Sequence, residues 1–223
     1  SPARGKMDYA AVVFDLDGTL LDTLADLADS MNTVLARQGH PVHPVDAYRH
    51  FVGDGMAMLA RRALPAGCGQ TDPVRRCVAA MEEEYGRRWD AKTRPYPGIP
   101  QMLDALRERQ VALAVLSNKP EPFVRLIVAR LLGRWRFHPV VGARPGLPPK
   151  PDPTGALQVA AALEVTPERI VYAGDSGTDM RTAVAAGMFA VGVSWGFRSV
   201  GELRASGAAL IARQPADLVR LFP

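Results

Sequence analysis

Ala10-Ala11-Val12-Val13-Phe14-Asp15-Leu16-Asp17-Gly18-Thr19 is the stretch that decides how this chain is read. Its first five residues form an apolar run with β-branched side chains, which predicts a buried strand. The run ends in two carboxylates and a glycine. Open α/β sheets collect ligands and reacting groups at the carboxyl ends of their strands, so this stretch predicts both a parallel sheet and the rim that carries the chemistry. Asp15 and Asp17 occupy alternate positions on that tip. Burying two unpaired acids costs several kcal/mol unless a cation or substrate compensates them, so a metal-assisted site is the first expectation.

Downstream the apolar period changes to three and four. Leu24, Leu27, Ala28, Met31, Val34 and Leu35 describe one helix face. Met56, Leu59, Ala60, Ala63 and Leu64 describe a second, and Val74, Cys77, Val78, Met81 and Tyr85 a third. No convincing strand pattern interrupts them between Asp22 and about Arg94, and Pro95-Tyr96-Pro97-Gly98 then marks a turn-rich linker. Beyond it helix and strand alternate, with helices expected over 99–109, 123–131, 154–163, 177–186 and 215–221. Strands are expected over 111–116, 140–141, 170–173, 190–193 and 210–211. The expected fold class is α/β: a Rossmann-like doubly wound parallel sheet core, residues 1–21 plus 95–223, with a helical cap domain, residues 22–94, inserted after the first strand. Such an insertion is expected to stand as a lid over the strand tips.

The 223 residues are 48% hydrophobic, ample for a sizeable core. A formal charge of +4, from 27 Lys+Arg against 23 Asp+Glu, is spread along the chain. The pairs Arg61-Arg62, Arg75-Arg76 and Arg87-Arg88 are separated by apolar helical positions and carry no interleaved aromatic platform. That is not the footprint of a nucleic-acid surface, and it leaves a modest attraction for small anions. Cys68 and Cys77 lack C-x-x-C spacing and read as reduced thiols of a cytoplasmic protein. No apolar segment reaches the roughly 18 residues of a membrane span, and residues 1–8 hold no hydrophobic signal core. Ser1 to Lys6 reads as an added or frayed tail. The expectation is a soluble monomer or homodimer with no nucleic-acid or membrane partner.

Four polar groups fall at predicted strand ends or just beyond them: Asp15 with Asp17; Ser117-Asn118-Lys119; Lys150-Pro151-Asp152-Pro153; and Gly174 through Asp179. Each has an ordinary structural use. Asp17-Gly18 makes a turn, Ser117-Asn118 caps a helix, Lys150 sits solvated in a loop, and Asp175 with Asp179 favours a helix start. Together on one rim they make a set suited to phosphoryl transfer, with acids for a divalent metal and a hydroxyl, an ammonium and backbone N–H groups for phosphate oxygens.

In order, Asp15-x-Asp17-Gly18-Thr19, Ser117, Lys150 and Gly174-Asp175-x3-Asp179 resemble the four motifs of the haloacid dehalogenase superfamily. The longer strings Phe14 to Asp22, Tyr96-Pro97-Gly98-Ile99, Ser117-Asn118-Lys119-Pro120, Lys150 to Pro153 and Gly174-Asp175-Ser176 resemble its phosphoglycolate phosphatase branch. The resemblance runs from Val12 to the last helix. It implies Mg²⁺-dependent hydrolysis of a small anionic phosphate ester, 2-phosphoglycolate first, through an aspartyl-phosphate on Asp15. It further implies that Asp17 protonates the leaving oxygen and later deprotonates water. Mg²⁺ would be held by the Asp15 carboxylate, the Asp17 carbonyl and Asp175, with Asp179 helping directly or through water. Ser117 would donate to a phosphate oxygen, Lys150 would neutralise the phosphoryl group and Asp15, and backbone around Gly18, Thr19 and Asn118 would complete the cradle.

Rival readings are a phosphatase of another sugar phosphate, a phosphosugar mutase with every motif retained, a haloacid dehalogenase, which has no need of Asp17, and a non-catalytic binding protein on the same fold. Substrate choice is expected in the insertion. Gly53-Asp54-Gly55 reads as a cap turn or specificity loop, since the strand required by a dinucleotide fingerprint is missing. Arg49, His50, Arg61 and Arg62 are candidates to meet a substrate carboxylate, with Arg49 and Arg62 put first. His40, His43 and His138 read as loop residues without a metal partner, and Trp195-Gly196-Phe197 as core edge.

Overall fold

The computed structural model describes residues 8–223, so the expected tail lies outside the described residues. In chain order the elements are β1 (Ala11–Phe14), β2 (Leu21–Asp22), α1 (Leu24–Arg37), a 3-10 helix (Val45–His50), α2 (Met56–Ala63), α3 (Thr71–Arg88) and β3 (Arg94–Pro95). There follow α4 (Ile99–Glu108), β4 (Ala112–Pro120), α5 (Glu121–Leu131), β5 (Phe137–Ala143), α6 (Thr154–Leu163) and β6 (Ile170–Gly174). The chain closes with α7 (Gly177–Ala186), β7 (Phe189–Val193), α8 (Val200–Ala205), β8 (Leu210–Ala212) and α9 (Ala216–Val219).

Six strands form one sheet in the order β5-β4-β1-β6-β7-β8, and every pairing in it is parallel. β1 lies inside, with Val12 registered between Leu113 and Val171. The chain winds outward from β1 through β4 and β5, then returns to the other side for β6, β7 and β8. That reversal opens a crevice beyond the carboxyl ends of β1 and β6.

All four residues of β1 are buried because both faces of the sheet are covered. Val12 and Phe14 join an apolar cluster with Leu103, Leu106, Val124 and Ile127 of α4 and α5. Ala11 and Val13 join a second cluster with Val159, Met180 and Ala183 of α6 and α7. The period of two along one strand thus feeds two helical layers.

Between Thr23 and Thr93 the regular structure is helical throughout. β2 and β3 pair antiparallel, Leu21 with Pro95 and Asp22 with Arg94, so the chain leaves the core and returns to it side by side. Buried Asp26 of α1 reinforces this junction, accepting from the amides of Lys92 and Thr93 and from Thr93 Oγ1 at 2.8–3.0 Å. Leu27, Met31, Cys77, Met81 and Tyr85 belong to the same apolar cluster as Phe14, so insertion and core pack as one body.

Several elements differ from the expectations, β5 among them, which spans Phe137–Ala143 where only 140–141 was expected. β4 continues to Pro120 because Ser117, Asn118 and Lys119 stay buried on the strand, where an apolar pattern could not announce them. The β2–β3 ribbon is too short for any periodicity. The short helix α8 also goes unannounced; Ser199 caps it by accepting from Glu202 N. Cys68 and Cys77 are free thiols, and no helix among the described residues is long and apolar enough to cross a membrane.

Candidate active site

Asp15 is the first residue beyond β1 and Asp175 the first beyond β6, so two neighbouring strands deliver both carboxylates to the crevice. Asp179 follows on the first turn of α7. Ser176 caps that helix by accepting from Asp179 N, and in return Asp179 Oδ2 accepts from the Ser176 amide and hydroxyl. One carboxylate oxygen from each of Asp15, Asp175 and Asp179 lies within 4.8 Å of the others, and all three residues are buried. Lys150 Nζ enters from the loop before α6, 2.7 Å from Asp179 Oδ1, 3.3 Å from Asp15 Oδ1 and 3.0 Å from the Leu116 carbonyl oxygen.

Three buried acids therefore face one lysine. Burial, followed by the charge of Asp179, pushes the Asp15 carboxyl well above its ordinary range, and the same two causes push Asp175 up to about 7. Burial alone would raise Asp179 too, but Lys150 outweighs it and holds Asp179 below the usual carboxylate value. For Lys150 burial works against the ammonium, while Asp15 and Asp179 more than restore it. Asp15 and Asp175 thus carry negative charge at a cost that a cation would remove. Clustered hard oxygen donors of this kind suit Mg²⁺ rather than a thiolate- or imidazole-seeking metal. Asp179 is already engaged on both oxygens: Oδ1 by Lys150 and by Tyr172 OH at 2.9 Å, Oδ2 by Ser176 and the Asp175 amide.

Asp175 is held from behind. Its Oδ1 accepts from Thr19 Oγ1 at 3.3 Å and its Oδ2 from the Phe197 amide at 2.9 Å. Gly18 adopts φ +80°, and a Cβ there would stand 2.1 Å from Asp175 Oδ2; a Cβ on Gly196 would stand 2.2 Å from Asp175 Cβ. Both positions need glycine, the first for its conformation and its closeness, the second for closeness alone. Gly18 and Thr19, expected at the substrate, accordingly brace Asp175 and do not line the cavity.

That cavity, about 30 Å³, is lined by Asp15, Asp17, Ser117, Asn118 and Lys119 from the core and by Leu27, Val52, Gly53, Gly55, Met56 and Leu59 from the insertion. Asp17 and Ser117 meet Asp15 there. Asn118 accepts from Lys150 N and donates to the carbonyl oxygens of Lys150 and Gly53, joining the lysine loop to the insertion. The Gly53-Asp54-Gly55 loop, expected as a cap turn or specificity loop, touches the core: Asp54 accepts from Thr178 Oγ1 at 2.7 Å and pairs with Arg62 at 2.6 Å. Arg198 adds a clasp, donating to the carbonyls of Arg49, His50 and Val52.

Arg49 and Arg62 are placed otherwise than a substrate contact requires. Arg49 pairs with Asp46 and reaches the Gly196 carbonyl, Arg62 is taken up by Asp54, and neither lines the cavity. Thr23, Tyr85 and Tyr172 are polar groups of the site that sequence reasoning passed over, and Lys119, named there only as part of Ser117-Asn118-Lys119, received no role of its own. For Lys119 a signal existed: it lies two residues beyond Ser117 on one strand, and alternate strand residues share a face.

Known proteins of the same family match most of the chain. The sequence profile "Haloacid dehalogenase-like hydrolase" matches residues 12–193. A phosphoglycolate phosphatase of Pseudomonas putida is 34% identical over 217 residues, 95% of this chain and 78% of that one. One of Psychrobacter arcticus is 32% identical over 204 residues, 89% of each chain. The crystal structure of a candidate phosphoglycolate phosphatase from Lactobacillus delbrueckii superposes with a TM-score of 0.88 at 32% identity, covering 97% of this chain and 99% of that one. Motif order, sheet order and whole-length similarity agree, and the chain belongs to the haloacid dehalogenase-like hydrolases.

Proposed function

We propose that this enzyme is a Mg²⁺-dependent phosphatase of small phosphate monoesters and that 2-phosphoglycolate is its preferred substrate. The observation that carries the reading is the convergence of Asp15, Asp17 and Ser117 on one cavity, with Lys150 and Asp175 directly behind Asp15. The relatives named above supply the choice of ester.

Asp15 attacks phosphorus, forming an acyl phosphate as the ester P–O bond breaks; water then cleaves the acyl phosphate and regenerates Asp15. Asp17 gives a proton to the departing oxygen in the first step and takes one from water in the second. Ser117 donates to a phosphate oxygen, and Lys150 balances charge on Asp15 and the phosphoryl group. Asp15, the Asp17 carbonyl and Asp175 would hold Mg²⁺, which when bound neutralises phosphate charge. Asp179 acts from behind by fixing Lys150 and the Asp175 amide.

The insertion serves as the lid. Its contribution to the cavity is apolar side chains and two glycines, and a cavity of about 30 Å³ admits an ester only when the lid lifts. Closing over a small leaving group then excludes bulk water from the acyl phosphate.

The test is phosphate release from a panel of small phosphate esters with and without Mg²⁺, with Asp15→Asn as control. Release from 2-phosphoglycolate that needs both Mg²⁺ and Asp15 is expected. No release from any ester, or an Asp15→Asn protein with full activity, would overturn the mechanism.

A further inference from the structure

Among the described residues Lys119 is the one cationic side chain lining the cavity, and the mechanism above gives it no task. Its side chain is 3% exposed. Nζ donates to Asp17 Oδ1 and to the phenol oxygen of Tyr85, each at 2.6 Å, and lies 4.7 Å from the Tyr85 ring centroid. Tyr85 comes from α3 of the insertion. Thr23, between β2 and α1, donates through Oγ1 to the same Asp17 oxygen at 2.6 Å.

Both donors thus fall on Oδ1. No described residue donates to Oδ2, the other oxygen of a carboxylate that lines the cavity. A carboxylate held by one oxygen at two points has its plane and its free oxygen fixed, which is what proton transfer to a particular atom requires. Lys119 Nζ is itself buried between Asp17 and the Tyr85 phenol. Two of its three N–H groups are already committed, which disfavours a competing task in gripping the substrate's own carboxylate.

We propose that Lys119, held by Tyr85, is a positioning residue for leaving-group protonation: with Thr23 it pins Asp17 Oδ1 and thereby presents Oδ2 to the ester oxygen. The inference rests on the phosphatase reading in which Asp17 is the proton donor. In that step the proton on Oδ2 passes to the leaving oxygen as its bond to phosphorus breaks and the Asp15–phosphorus bond forms. No other reactant is required.

The prediction is selective by leaving group. Glycolate must leave from 2-phosphoglycolate with a proton, whereas acetate leaves acetyl phosphate without one, and kcat/KM reports the steps up to that departure. With Mg²⁺ present, Lys119→Met is expected to lower kcat/KM on 2-phosphoglycolate by about 10²-fold, with a fall on acetyl phosphate at least about tenfold smaller. Tyr85→Phe, which removes one oxygen, should show the same order with a smaller drop. Wild-type turnover of 2-phosphoglycolate tests the phosphatase reading itself, and its absence removes both. A wild type active on both esters, with variants that lower both equally, overturns the positioning role alone. Calorimetric binding of 2-phosphoglycolate to the inert Asp15→Asn protein separates the competing task. Adding Lys119→Met there should leave Kd within about threefold, and a weakening beyond about tenfold would mean that Lys119 grips the substrate.

Discussion

Lys150→Met nearly keeps the side chain's volume and removes its charge, and the consequence can be worked from its partners. The side chain is 3% exposed, with Asp179 Oδ1 at 2.7 Å and Asp15 Oδ1 at 3.3 Å. Without it, Asp15, Asp175 and Asp179 remain buried together with no cation among them. Breaking a buried pair from one side costs about 3–5 kcal/mol. For a chain of this length that lowers the melting temperature by about 6–20 °C. The deficit also depends on pH. In the wild type Lys150 holds Asp179 below the ordinary carboxylate value despite burial. A carboxylate so lowered stabilises the fold fully above its unfolded value and ceases to do so as pH falls through its folded value. In the variant that support is gone, and burial with mutual repulsion favours protonation of the acids. Their penalty is then greatest above neutrality and fades as pH falls toward the unfolded range near about 4. Urea unfolding of metal-free protein at about pH 8 and about pH 5.5 measures both effects. A variant within about 1 kcal/mol of wild type at the higher pH, or one whose deficit grows on acidification, refutes the electrostatic account of the cluster.

Mg²⁺ should raise the wild-type melting temperature more at about pH 8 than at about pH 5.5, because Asp175, pushed up to about 7, and Asp15, pushed higher than its ordinary value, hold protons that compete with the ion. Thermal melts over a Mg²⁺ series read this, and a chelator should reverse it. Gly196→Ala places a Cβ 2.2 Å from Asp175 Cβ and 2.3 Å from the Gly18 carbonyl oxygen, so Asp175 must shift. A loss of about 10²-fold in phosphate-release kcat is expected. Asp54→Asn frees the loop from Arg62 and should raise KM for the ester about two- to fivefold, read by initial rates. In the wild type Thr178 and Arg62 outweigh burial and hold Asp54 below its ordinary value, so the same loosening should appear only at pH values below about 4.

The parts of this molecule that could be read in advance are those written in period or in order. Ala11 to Phe14, Ile170 to Gly174 and the helices at 154–163 and 177–186 carry enough apolar repeat to be seen one residue at a time. Asp15, Lys150 and Asp175 stood out because each follows or precedes such an element. What escaped was written in space. Tyr172 looks like one more buried strand residue until its hydroxyl is seen on Asp179. Tyr85 looks like helix core until it meets Lys119 across the insertion. Arg49 and Arg62 looked available for an anion because their partners, Asp46 and Asp54, have no period to mark them as taken.

The central position of β1 has a consequence for how the protein is made. Val12 leaves the ribosome well before its partners Leu113 and Val171, which come from far later in the chain. The helices of the insertion are local structures that can form early, whereas β1 must wait for β4 and again for β6. The strand that carries the nucleophile is therefore made before the other strands of its sheet, yet it is not enclosed on both edges until β6 is present. Until β6 has emerged, Asp15 has no Asp175 beside it, so a truncated nascent chain holds neither the full acidic cluster nor the means to react.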